Sequence, residues 1–274
     1  MRLRIGYRMT FELAQPTPMI VVLNVHFSRA SDLLGPDTML TSPSTPYTSY
    51  RDSFGNWCNR LTAPAGSFQL RADTVITDPG LLDELVPDAW QHPVQDLPDD
   101  TLLFLLPSRY CDSDRLTDAA WALFGGVEPG WPRLQAVNAW VHERIAFGYH
   151  WADSGRTAWD AYHDRRGVCR DYAHLGIAMC RALNIPARYC TGYIAGVELP
   201  SPADPMDFSA WFEAYLGGRW VTVDPRHLRP KAGRILIARG RDAADVAITT
   251  TFGPTELRDF EVWAHQEPAS GRWT

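Results

Sequence analysis

A single lysine, Lys231, occurs in the whole 274-residue chain, and the 26 Lys and Arg side chains are outnumbered by 32 Asp and Glu, for a formal net charge of −6. The arginines are scattered, so the basic face that would hold a nucleic-acid backbone is missing and no nucleic-acid partner is expected. Long apolar runs are missing as well. The longest, "MIVVL" and "LLFLL", fall far short of the roughly 20 residues a spanning helix needs, so no membrane partner is expected either. The first residues, "MRLRIGYRMTFELAQ", alternate charged and apolar side chains and do not have the form of a secretory signal. Cysteine is sparse: Cys58, Cys111, Cys169, Cys180 and Cys190 make an odd number with no C-x-x-C pair. That spacing excludes a disulfide framework and points to a reducing, cytoplasmic setting. No P-loop or dinucleotide fingerprint is present, and Cys169 and His174 lack the second ligand pair of a tetrahedral site, so neither metal nor cofactor is expected.

What the chain does contain is organised in blocks. Leu3, Ile5, Tyr7, Met9, Phe11 and Leu13 alternate with polar residues and predict a first strand. A second strand is expected over residues 19–27, and "RDSFGNWCNRLTAP" and "GSFQLRADTVITD" read as further strands around Gly-Asn and Pro-Ala-Gly turns. Residues 1 to about 80 therefore read as a small all-β unit, which offers a surface for a partner or a second copy of the chain. Residues 79–114, rich in Pro and Asp, read as a linking segment. Pro132 suits the first turn of a helix whose stripe is Leu134, Val137, Trp140, Val141 and Ile145. Short and longer helices follow over residues 155–163 and 169–183, then a run of strands ending with "FEVWAHQ". Strands, then helices, then strands predict an α+β fold with helices against an antiparallel sheet. The expected division is a β-rich domain over residues 1–110, linking segment included, and a core domain over residues 111–274.

Two stretches carry the chemistry. In "RRGVCRDYAHLGIAMCRALNIPARY" Cys169 stands at the start of a helix. Unpaired backbone N–H groups and the positive end of the helix dipole favour a thiolate there. Gly167 just before it leaves room for an approaching substrate; Asp171 in the first turn complements the dipole. In "FSAWFEAYLGGRWVTVDP" the Gly217-Gly218 pair marks a two-residue hairpin. Counting back from it pairs Trp211 with Asp224 and sorts the side chains into two faces. Ala210, Phe212, Ala214, Leu216, Val221 and Val223 form the apolar face. Ser209, Trp211, Glu213, Tyr215, Trp220, Thr222 and Asp224 form the polar and aromatic one.

"GVCRDYAHL", "CRALNIPARYCTGY" and "DFSAWFEAYLGGRWVTVDPRH", in that order, resemble the bacterial transglutaminase-like superfamily, whose core is similar to that of papain-like cysteine peptidases. The resemblance covers residues 115–274, and residues 1–80 resemble the β-rich region that often precedes this core in bacteria. It implies a Cys–His–Asp triad in which Cys169 is the nucleophile and Asp224 the orienting carboxylate. The family's histidine stands before Ala-Trp; this chain has Ser209 there. A serine hydroxyl neither takes a proton at neutral pH nor stabilises a thiolate by charge, and general acid–base help is worth about 10²–10⁴ in rate.

Other bases can be weighed. His227, three residues past Asp224, is freed for a base role if Pro225 bends the chain; otherwise it is a loop histidine. His163 can reach the lip of a cleft or sit on a surface. His174, rotated by about 140° from Cys169 on the helix, reads as a satisfied core histidine, and His142 and His150 as structural or surface groups. Trp211 is a cleft wall beside the thiol or plain core packing, and Arg170 binds a substrate carboxylate or makes a surface ion pair. Two functions remain open beside a purely structural role in assembly. One is a thiol-dependent acyl-transfer enzyme (cysteine peptidase, amidase or transglutaminase) acting on a peptide or protein through a thioester and impaired by Ser209. The other is a catalytically retired peptide- or partner-binding module.

Overall fold

The computed structural model describes residues 1–196 and 206–267. The chain opens with six strands, β1 (Arg2–Leu13), β2 (Thr17–Val21), β3 (Leu40–Ser42), β4 (Tyr47–Arg51), β5 (Trp57–Ala63) and β6 (Gly66–Thr77). Helices α1 (Asp99–Leu102), α2 (Thr117–Phe124) and α3 (Trp131–Arg144) follow. Next come β7 (Ala146–Phe147), α4 (Ala158–Asp164), β8 (Arg166–Gly167) and the central helix α5 (Cys169–Ala182). Six more strands complete the described chain: β9 (Ala187–Ile194), β10 (Ser209–Leu216), β11 (Arg219–Val223), β12 (Arg234–Gly240), β13 (Thr249–Thr251) and β14 (Thr255–Gln266). No described helix is long and apolar enough to cross a membrane.

Three four-stranded sheets result, in the orders β14-β1-β6-β3, β13-β2-β5-β4 and β11-β10-β9-β12. All are antiparallel, and with the helices they make an α+β fold. The expected alternation of β1 holds: Leu3, Ile5, Tyr7, Met9, Phe11 and Leu13 are all buried. The second strand is shorter than expected. It stops at Val21, and residues 27–32 coil into a tight 3-10 turn that starts after His26. Strands β13 and β14 go back to β2 and β1, so a division at residue 110/111 does not describe how the strands are shared. Both ends of the chain build the amino-terminal sheets, and buried apolar residues from β1 to β14 join in one core.

The core sheet takes its register from the hairpin. Gly217 and Gly218 have φ of +57° and +80°, the left-handed region a two-residue turn demands. Leu216 pairs with Arg219, and the ladder runs to Phe212 opposite Val223. The apolar face of β10 lies on α5. A Cβ at Gly176 would sit 2.6 Å from the Phe212 ring, so that helix position admits only glycine. Helix α5 is buried almost throughout. It ends at Ala182, and Asn184 just past its cap, with φ of +63°, is a left-handed stop, with Pro186 beyond.

Candidate active site

Cys169 is the first residue of α5 and is 8% exposed. The helix start is held by Asp171, whose Oδ2 accepts the Val168 N–H at 2.8 Å. That carboxylate folds back over Gly167, where a Cβ would come within 2.3 Å of it. The glycine therefore makes room for Asp171 and not, as expected, for a substrate.

The thiol opens into a cavity of about 500 Å³ whose walls include Arg170, Tyr189, Thr191, Asp207, Phe208 and Ala210. The first residues of β10 run past it: Sγ lies 3.9 Å from the Phe208 carbonyl oxygen, and the Ala210 N–H also acts on it. Ser209 lies between these two contacts and is buried. Its carbonyl accepts the Thr191 hydroxyl at 3.2 Å.

Burial and charge set the thiol's state against the helix dipole. Desolvation first, and the negative charge of Asp207 second, push the Cys169 thiol up to about 11; the Arg226 charge and the Ala210 N–H offset only part of this. The expectation of a thiolate at neutral pH is overturned, because the dipole is a modest effect and loss of solvent together with the Asp207 charge outweighs it. At pH 8 only about one molecule in a thousand carries the thiolate. Alkylation of Cys169 by iodoacetamide is accordingly expected to be slower than that of free cysteine at pH 8 and to keep rising beyond pH 10; a plateau near neutrality would contradict the burial.

Asp224 follows β11, with 3% of its side chain exposed. Oδ1 accepts the backbone N–H groups of Arg226 (3.1 Å) and His227 (3.2 Å). Oδ2 accepts His227 Nδ1 at 2.9 Å and Arg234 Nη2 at 2.8 Å. A carboxylate partner requires the proton on Nδ1 of that ring. Burial pulls the Asp224 carboxyl up, but the His227 hydrogen bond and the Arg234 charge outweigh it and hold it at about 2.

The face of β10 separates these groups. Phe212, on the α5 side, shares its face with Ala210, Thr191 and Tyr189, where the thiol lies. Alternation puts Ser209 with Trp211 on the other face. Trp211 packs there with Cys190, Ile194 and Leu236, beneath the Arg234 guanidinium at 5.2 Å. Trp211 is therefore core packing and no wall of the thiol cavity. Asp224 lies on this face too, bonded to the same Arg234, and reaches the thiol only as the weakest of the charges acting on it.

The remaining candidates are easily placed. His163 is exposed on α4 against the rings of Trp159 and Tyr162, outside the cavity wall. His227 is engaged with Asp224 and is not part of that wall either. Arg170 does line the cavity; it donates to the Asp153 carbonyl and lies over the Tyr110 ring. His174 is a core group: it accepts the Ala243 N–H at 3.2 Å, stacks on Tyr110, and burial keeps it neutral. His142 meets the Pro225 carbonyl at 2.8 Å. Among the described residues no group of three or more His, Cys, Asp and Glu is arranged to hold a metal ion.

Two site groups escape the sequence reading. Asp207 lines the thiol cavity, and burial raises its carboxyl to about 6 against the Phe208 N–H bond and the Arg226 charge. Arg226 lies over the Phe147 ring at 3.9 Å and acts on Cys169, Asp207, Tyr149 and Tyr172. The only local sign of either is position, Asp207 two residues before Ser209 and Arg226 two after Asp224.

Comparison with known proteins gives a consistent family. The model of the transglutaminase-like superfamily matches residues 119–225. A crystal structure described as a "Putative Cysteine Protease from Cytophaga hutchinsonii" is 34% identical and superposes with a TM-score of 0.82, over 96% of this chain and 90% of that one. The uncharacterized protein ML0607 of Mycobacterium leprae is 34% identical over 134 residues, 46% of this chain and 48% of that protein. Rv2569c of Mycobacterium tuberculosis is 38% identical over 92 residues, 30% of this chain and 29% of that protein. The matched region thus spans about half or less of these curated relatives.

Proposed function

The chain belongs to the transglutaminase-like superfamily, and from that premise we propose that it is a slow thiol-dependent acyl-transfer enzyme that cleaves amide bonds of peptides or proteins through a Cys169 thioester. The observation that carries this reading is the placement of the thiol. It stands at the tip of a buried helix, opens into a cavity large enough for a peptide segment, and lies against the strand that bears position 209. The thiol attacks the carbonyl carbon, and the amine leaves. The Cys169 N–H at the helix start is one donor for the oxyanion. Water then releases the acid. Hydrolysis is favoured over amine transfer by likeness to the structure described as a protease, an analogy of fold and sequence. Slowness follows from Ser209 and from a thiol held protonated. The five free cysteines suit a reducing, cytoplasmic setting.

The alternative reading is a retired module that binds peptides in the same cavity without turnover; the raised thiol and, among the described residues, the absence of a histidine from the cavity wall favour it. Hydrolysis of a fluorogenic peptide amide by wild type and Cys169→Ala separates the two. The wild-type rate is expected to be small and the variant to fall to the buffer blank. Equal rates, with peptide binding intact in both, would establish the retired module.

A further inference from the structure

We propose that Asp207 is the proton carrier of the Cys169 centre, doing the work of the imidazole that position 209 lacks; this deepens the function proposed above and rests on it. Three observations lead there. Asp207 and Cys169 line one cavity. Among the charges acting on the thiol, that of Asp207 is the largest. The Asp207 carboxyl is also already oriented: its Oδ1 accepts the Phe208 N–H at 2.6 Å, which leaves Oδ2 for the cavity.

The groups facing Asp207 come from every side of the cavity. They are Cys169 and Arg170 from α5, Tyr189 from β9, Arg226 from the turn after β11, and Tyr149 and Asp153 from the segment before α4. Burial outweighs the Arg226 charge and brings the carboxyl to about 6. A proton carrier works best with an ionisation close to the working pH, and a buried carboxyl reaches that range by desolvation alone.

The step balances without another reactant than water. The Asp207 carboxylate accepts the Sγ proton as Sγ bonds to the amide carbon. The same proton passes to the amide nitrogen as the C–N bond breaks, and the amine departs with it. Water then attacks the thioester carbon and gives a proton to Asp207, which returns it to Sγ as the C–S bond breaks. A carboxylate cannot stabilise the thiolate by charge as an imidazolium does, so the rate stays low.

Asp207→Asn tests this, since the amide oxygen still accepts the Phe208 N–H and the local backbone is kept. Two measurements are needed on the same proteins: the pH profile of kcat/KM for a peptide amide, and iodoacetamide alkylation of Cys169. Wild type should show an acid limb with a midpoint near 6. Asp207→Asn should lose that limb and about a hundredfold in rate, yet alkylate faster than wild type at pH 8, because a repelling charge has gone. Asp207→Glu should recover part of the turnover. An Asp207→Asn protein that turns over as fast as wild type or faster overturns the proposal: Asp207 is then only a repelling charge. A variant slower in both assays also overturns it, making the residue a scaffold. Wild-type turnover no greater than that of Cys169→Ala removes instead the enzymatic reading on which the proposal stands.

Discussion

Ser209→His is expected to raise amide hydrolysis by about 10²-fold, the lower end of what general acid–base catalysis supplies. The thiol already rests against the peptide of residues 208–210, but alternation turns the position-209 side chain to the other face of β10, so the gain requires the ring to swing around the start of the strand to the thiol's side. An imidazolium also lowers the thiol's ionisation, which neither Ser209 nor Asp207 can do. The gain is limited by Asp224. All its accepting positions are taken, two by backbone N–H groups and two by His227 and Arg234. A new ring can be oriented by that carboxylate only if His227 gives way. Ser209→His combined with His227→Ala should therefore exceed Ser209→His alone, and its Cys169 should alkylate faster at neutral pH. No gain in either protein would mean that the thiol cannot be reached from position 209 at all.

Arg234→Ala should have the largest effect on stability. This arginine is 8% exposed on its side chain and bridges two carboxylates, Asp224 at 2.8 Å and Asp83 at 2.9 Å. Removing the cation leaves both acids enclosed and facing each other, a loss of about 3–5 kcal/mol where one partner of a buried pair is deleted. It also uncovers the Trp211 ring. Urea denaturation of wild type and variant measures the difference, and a loss below about 1 kcal/mol, the range of an exposed ion pair, would refute it. The pH dependence has a definite sign. Asp224 is depressed to about 2 in the folded protein from an ordinary 3.8. Its contribution is thus present above about pH 4 and is lost as pH falls through 2. Without Arg234 the folded value rises, and the acid loss in the variant begins at a higher pH.

Much of this molecule follows from short-range pattern. The inward face of β1, the hairpin at Gly217-Gly218, the two faces of β10 and β11, and Cys169 at the head of α5 all stand where the residue spacing puts them. Each depends on a period of two or 3.6 residues, or on a turn that only glycine tolerates, and such signals are complete within a dozen residues. The serine before Ala-Trp is equally plain, because a motif needs no third dimension to show a missing side chain.

Other features depend on parts of the chain that are distant in sequence. Strand β14 reaches β1 across some 250 residues, and nothing local says which sheet takes it. Trp211 stands on the face that alternation assigns it, but which face the thiol meets depends on where α5 lies down, and Gly176 against Phe212 decides that. Arg234 comes from β12 to occupy Asp224, and Asp207 enters the thiol cavity from the residues that precede β10. The state of the thiol is the clearest case. Position at a helix start argues for a thiolate, whereas its ionisation is the sum of solvent lost on all sides and charges brought in by separate elements. The linear chain therefore determined the type of site, a thiol at a helix start with a serine where the family's motif has histidine. Packing alone decided how that sulfur is charged and which carboxylate stands beside it, since desolvation and Coulomb interactions depend on distances through space and not along the chain.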